Sequence, residues 1–187
     1  MAIENLTITH DDLEIRGGLQ YVGVGLLSGA SSVVFDNTGA HTVSYTAATP
    51  LELFDLKQGT GSLSTSGSKE GGTIMFEHSV SFYVPRCSSA HLRALESMRN
   101  EHIVVVAQDY NGTAYTIGLS EAYGLEDSNL GNVQMFATLS SIEGGTGAAL
   151  GDENGVTVTI TCSSGELPRV SANTITLDTS LGTMALS

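Results

Sequence analysis

Thr9-His10-Asp11-Asp12 sets an imidazole beside two carboxylates, donor types that a divalent cation takes. Adjacent residues cannot all turn toward one ion without ligands from elsewhere, so no metal is expected there. Asp109-Tyr110-Asn111-Gly112 and Asp152-Glu153-Asn154-Gly155 open like calcium loops. Neither has a glutamate at loop position twelve or the flanking helices of an EF-hand, and turn formation explains both. Ser, His and Asp are all present. However, no G-x-S-x-G, Walker lysine loop, G-x-G-x-x-G or H-E-x-x-H arranges them. Cys87 and Cys162 are far apart and lack the Cys/His spacing of a zinc site. Each ends a strand-like run and reads as a small buried hydrophobe, bonded or free. His78 stands alone on an apolar strand face, the pattern of a satisfied core or interface histidine. These residues supply no catalytic group, no metal site and no cofactor site, so a non-enzymatic protein is expected.

The charge balance sets a second bound. Asp and Glu number 20 against 7 Lys and Arg, for a formal net charge of −13. A nucleic-acid binder needs the opposite sign, because phosphate neutralisation supplies most of its affinity. Gripping of DNA or RNA is therefore rejected. A conduit that repels nucleic acid is compatible with this sign, as is a generic solubility charge. Charged residues make up only 14% of the chain, Gly is high at 22 and Trp is absent. That profile suits strands and turns with a neutral polar surface, as in proteins that bury much of their exterior in assemblies. No apolar run reaches the ~18 residues of a transmembrane helix. The N-terminus has neither the basic nor the apolar region of a signal peptide, and the sequons at Asn5 and Asn111 read as chance.

The elements that position these residues read mainly as strands. Leu19 to Leu27 is strand-like with Gly23 and Gly25 inside it, and short strands are expected at 33–35, 42–46 and 51–56 around a turn at Asp36-Asn37-Thr38-Gly39. Residues 57–72 (KQGTGSLSTSGSKEGG) hold Leu63 as their only sizeable apolar side chain. They read as a long loop between strands, serving either as an inter-subunit contact or as a plain mobile loop. Its candidate contact residues are Gly59, Gly61, Leu63, Gly67, Lys69 and Gly71. Removing 59–71 is then expected to leave the fold intact. Thr73 to Val84 alternates with period two, placing Ile74, Phe76, His78, Val80, Phe82 and Val84 on one face.

A helix over about 88–100 follows, with Leu92, Leu95 and Met98 as its apolar stripe, capped at Ser88 or Ser89 and ended by Asn100. Ile103 to Ala107 is a continuous apolar run. Asn111-Gly112 suits a type I′ hairpin back to Thr113–Leu119. Strands are also expected at 132–142, 156–162 and 174–177, with a flexible EGGTGAAL at 143–150 and a second Asn-Gly turn at Asn154-Gly155. The C-terminal end is expected to lie over the sheet or over a neighbouring subunit. The fold class is mainly β: an antiparallel β-sandwich or barrel with one flanking helix, spanning 1–187 as a single domain.

The short helix, VVVAQDYNGTAYTIGL, and a Gly-rich segment leading to GDENGVTVTIT resemble a pattern in tail tube and related virion proteins of tailed bacteriophages, especially crAss-like and other phages of Bacteroidetes. The resemblance covers about residues 88–162 and rests on a strand, a D-x-N-G turn, a returning strand, and a second such turn and strand. The acidic EAYGLEDSN insert departs from the pattern.

The resemblance implies a structural virion subunit of the phage tail, made in the host cytoplasm. It also implies homo-oligomeric hexameric rings, whose sheets join into one inner barrel, stacked through long loops or terminal arms. Its partners would be copies of itself and other tail proteins, with DNA passing without tight binding and no membrane contact. Candidate lumen acids are Asp109, Glu121, Glu126, Asp127, Asp152 and Glu153. Three alternatives remain open: another virion protein, such as a head decoration or head–tail joining protein; a secreted β-sandwich binding carbohydrate; and a hydrolase with a scattered active site. The absence of Trp argues against the carbohydrate binder.

Overall fold

The computed structural model describes residues 17–35, 41–45, 51–54, 56–86, 89–119, 136–146, 153–171, 175–178 and 183–186. Their elements run β1 (Leu19–Leu26), β2 (Ala30–Phe35), β3 (His41–Tyr45), β4 (Leu51–Phe54), β5 (Ser62–Glu70), β6 (Thr73–Pro85) and α1 (Ser89–Ser97). There follow β7 (Ile103–Asp109), β8 (Ala114–Ile117), β9 (Thr138–Gly145), β10 (Gly155–Ser164), β11 (Arg169–Val170), β12 (Ile175–Asp178) and β13 (Thr183–Leu186). One sheet has seven strands in the order β11-β8-β7-β1-β4-β13-β12, and a second has four in the order β5-β6-β10-β9. β2 and β3 form a separate two-stranded ladder. The chain is thus mainly β, an antiparallel sandwich with one helix among the described residues and no closed barrel.

The core forms where the two sheets face each other. Val80, Phe82 and Val84 of β6 meet Val158 and Ile160 of β10 on one sheet, and Val22, Val24, Ile103 and Val105 on the other. The register aligns these faces: Val84 pairs with Val156, Phe82 with Val158 and Val80 with Ile160. Each fully buried side chain of this kind contributes roughly 1.5–3 kcal/mol. β7 is buried on both faces from Ile103 to Ala107, which is why its sequence is continuously apolar rather than alternating. The helix completes the core with Leu95, joined by Met98 just past its last residue. The expected third member of its stripe, Leu92, is half exposed. His91 turns inward instead, with its ring 6.3 Å from that of Phe54.

The stretch read as a loop at 57–72 is corrected. Only Lys57 to Gly61 is irregular; Ser62–Glu70 is a nine-residue strand paired along its whole length with β6. The turn is Gly71-Gly72, with φ of 57° and 97° and Glu70 paired to Thr73 across it. Positive φ at both central residues is the type I′ geometry that matches strand twist. Serine, threonine and glycine misled the reading because this strand lies at a sheet edge, where one apolar contact suffices.

Neither Asn-Gly pair forms a type I′ turn. Arg86 is the only described non-glycine residue with positive φ, so Asn111 and Asn154 keep negative φ. At 109–113 the Asp109 carbonyl accepts from the Gly112 amide at 3.2 Å, and Gly112 takes φ 89°. This is a type I turn closed by a left-handed glycine. Gly155 instead begins β10 and pairs with both Gly145 and Pro85. The stretch 143–145 belongs to β9 rather than to a flexible segment, and β11 and β13 join the sheet as strands the sequence did not signal. The Asp36–Gly39 turn and residues 132–135 lie outside the described residues.

Candidate functional site

The chemically capable residues are occupied structurally. His78 is buried on β6, with its Nδ1 3.0 Å from Thr65 Oγ1 and its Nε2 2.8 Å from the Glu166 carbonyl. A neutral ring satisfies both contacts by accepting from the threonine and donating to the carbonyl. Burial holds its pKa below the ordinary 6.5, and the bond to Glu166 partly opposes that. Cys162, its cross-strand neighbour, is a buried thiol. Burial pushes its pKa up to about 11, against a smaller lowering from the Gly118 backbone. A thiol so shifted stays protonated at neutral pH and is a poor nucleophile. Cys87 and the Thr9–Asp12 run lie outside the described residues.

A cleft of about 620 Å³ opens at one end of the sandwich, lined in part by Leu19, Ser62, Leu63, Thr65, Asp109 and Tyr115. Among the described residues that line it, Asp109 is the only carboxylate and none is a cation or imidazole. The Asp109 Oδ1 accepts from the amides of Asn111 at 2.9 Å and Thr113 at 2.8 Å. The carboxylate is thus used in fixing the β7–β8 turn. This arrangement offers no acid–base pair to a substrate.

The sheet edges carry the stronger signal. Among the described residues, β5 pairs in the four-stranded sheet only with β6, and β9 only with β10. Each edge strand begins at a corner of the sandwich. Gly61 bridges to Leu19, with the Leu19 amide donating to the Gly61 carbonyl at 3.0 Å. Ala137 exchanges two bonds with Ile103 at 3.0 and 3.1 Å. Beyond these corners no other described residue pairs with either strand. On β9, Ile142 sits opposite the buried Val158 yet is 44% exposed, with no described strand beyond it.

The outward face of this sheet has an unusual composition. Pairing places Ser64 beside Ser79, Ser81 beside Thr159, and Thr159 beside Ser141. Thr157, Thr161, Ser66 and Ser163 continue the pattern on alternate residues. Among the described residues, the carboxylates at these outward positions are Glu77 and Glu143, and none is Lys or Arg. At one end the Tyr83 ring lies over Gly155, and the Lys57 ammonium stands 5.7 Å from its centroid while pairing with Glu153.

The structure distributes the sequence-predicted residues as follows. Gly59 sits in the turn after Lys57, and Gly61 is pressed against Leu19. Leu63 packs on the core, Gly67 lies under the Phe76 ring, Lys69 is opposite Ile74, and Gly71 makes the hairpin turn. They belong to one edge strand and its ends rather than to a loop. Of the candidate acids, Asp109 is on the seven-stranded sheet and Glu153 is ion-paired beside Tyr83. Glu121, Glu126, Asp127 and Asp152 lie outside the described residues. The hydroxyl face was missed, although the T-x-T-x-T of 157–161 and the S-x-S-x-S of 62–66 spell it out. Comparison of the chain with protein-family models, with curated proteins and with solved structures finds no match.

Proposed function

We propose that this chain is a non-enzymatic structural subunit of a phage tail tube. Copies join edge to edge into rings, hexameric on the resemblance of residues 88–162, and the stacked rings pass DNA. The observation that carries the reading is the pair of edges on one four-stranded sheet, β5 and β9, that have no further strand beside them among the described residues. Because the sheet has an even number of antiparallel strands, β5 and β9 run in opposite directions. Rotation about an axis along the sheet then brings β9 of one copy antiparallel to β5 of the next. Such a head-to-tail contact closes into a ring.

The stagger of the sheet favours closure. Ser66, midway along β5, is level with Ser163, whereas Ile142 on β9 is level with Val158, five residues away along β10. With the midpoint of β9 paired to the midpoint of β5 in the next copy, about five residues of ~3.3 Å, over the three spacings within a copy and the one between copies of ~4.8 Å each, incline the strands by about 40°, within the ~35–45° of closed barrels. Six copies of four strands would form a wall about 50 Å across between backbones.

Sedimentation and negative-stain imaging of the purified protein test the reading. Rings or tubes of about that inner wall are expected. A monomer at high concentration, or a dimer that does not extend, would overturn it.

A further inference from the structure

His78 engages a different element with each ring nitrogen. Nδ1 meets the Thr65 hydroxyl of β5 at 3.0 Å, and Nε2 meets the Glu166 carbonyl, in the connection from β10 to β11, at 2.8 Å. The residue is 3% exposed, and its ring stacks 6.5 Å from that of Phe76. The two polar contacts respond differently to a proton. The Glu166 carbonyl accepts from Nε2–H whether the imidazole is neutral or charged. The Thr65 hydroxyl donates to a neutral Nδ1 and must turn round to accept once Nδ1 is protonated. Thr65 is itself exposed and lines the cleft, so it is the weaker cover of the ring.

We propose that His78 is an acid-operated latch: protonation at Nδ1 frees β5 from Thr65 to its hairpin turn, while β6 and β10 stay paired. Leu63 and the Gly61–Leu19 bridge hold the first residues of β5. Beyond them β6 is the only described strand beside it, whereas β10 lies between β6 and β9. The groups around the ring do not offset its charge. Cys162, opposite on β10, is a protonated thiol. The Glu166 carboxylate lies 3.5 Å from the Arg169 guanidinium, and Asp109, which lines the cleft with Thr65 and Tyr115, accepts from its own turn amides. Lys69 and Glu70 stand toward the hairpin tip, and Glu77 points to the other face of β6. Among the described residues no carboxylate contacts the imidazole, so a charge there is buried without a counter-ion. Burial holds the ring below its ordinary 6.5, so an opened form with the ring in water takes the proton first as pH falls through 6.5. The latch stands without the ring-forming reading; in a ring joined through β5 it would make the joint acid-sensitive.

Hydrogen exchange of the whole chain, followed by mass spectrometry and corrected for intrinsic rates, provides the test. Between pH 7.5 and pH 5.5, protection over 65–70 should fall several-fold, with a ceiling of about tenfold for one proton. Exchange over 65–70 at pH 5.5 should be insensitive to low urea, as local opening is, whereas exchange over 156–162 should be urea-dependent. The His78→Gln amide can accept from Thr65 and donate to Glu166 but does not titrate, so its protection over 65–70 should not change with pH. In the parent, the imidazole nitrogens followed by NMR should show the Nε2–H tautomer at pH 7.5 and titrate below 6.5. Protection over 65–70 that ignores pH would mean that β5 opens without uncovering His78, and would overturn the latch. The same pH dependence in His78→Gln, an equal urea dependence over 65–70 and 156–162, or an imidazole that titrates at 6.5 or above would each overturn it too.

Discussion

At the residue scale, His78 and Cys162 bracket the pH range in which the fold is most stable. His78 is held neutral in the fold, so its pKa lies below the 6.5 of the unfolded chain. Below about pH 6.5 the unfolded state binds the extra proton, and stability falls as pH drops toward the folded pKa. Urea midpoints should therefore decline from pH 7 to pH 5, with a shallower decline in His78→Gln. Cys162 behaves in the opposite sense. Its pKa rises from 9.0 to about 11 on folding, so its contribution is complete below pH 9 and lost as pH rises through 11. Cys162→Ala should flatten that alkaline loss, read as the change in urea midpoint between pH 8 and pH 10. Gly155 is a third residue-level constraint. A Cβ there would stand 2.4 Å from the Val84 carbonyl and 2.6 Å from the Tyr83 ring. Gly155→Ala should cost roughly 1–3 kcal/mol by chemical denaturation, whereas Gly145→Ala, with nothing within 4 Å, should cost little.

At the element scale, the decisive structures are the two edge strands. β5 is nearly all exposed, yet Leu63 packs on the core and Thr65 holds His78. Deleting 59–71 removes this strand and uncovers the imidazole. The deletion should reduce the β signal in circular dichroism and lower the thermal midpoint, contrary to what a loop there would predict. Ile142→Lys addresses the opposite edge. An inward-pointing charge on an edge strand blocks pairing with another strand, while a long side chain at a 44% exposed position reaches water. This variant should fold with an unchanged spectrum and sediment as a monomer. A variant that still forms rings would place the inter-subunit contact elsewhere.

At the scale of the whole molecule, a ring in which the midpoint of β9 pairs with the midpoint of β5 in the next copy has a strand tilt set by the stagger of one copy, whatever the number of copies. Imaging of tubes should show inner strands inclined by about 40° to the axis. Strands lying nearly parallel to the axis would mean that the sheets do not join in this register.

The sequence by itself determined the apolar skeleton. The alternation of Val80, Phe82 and Val84, and of Val158 and Ile160, marked two strands buried on one face, because period two and one-sided burial are the same fact seen twice; that they pair is a finding of the structure. The continuous apolar run Ile103–Ala107 marked a strand buried on both faces, and its place inside the sheet came from the structure. It also limited the chemistry: an isolated His78, distant cysteines and turn-like acids gave no site. What only the tertiary structure decided was the fate of polar stretches. Serine and glycine at 62–70 carry no hydrophobic period, so their strand exists only because β6 supplies the partner ladder. Gly155 is glycine because Tyr83 crosses it, not because a turn needs it. Which side of a strand meets water, and which edge is left without a neighbour, depends on contacts far apart in the chain, and local spacing does not encode them.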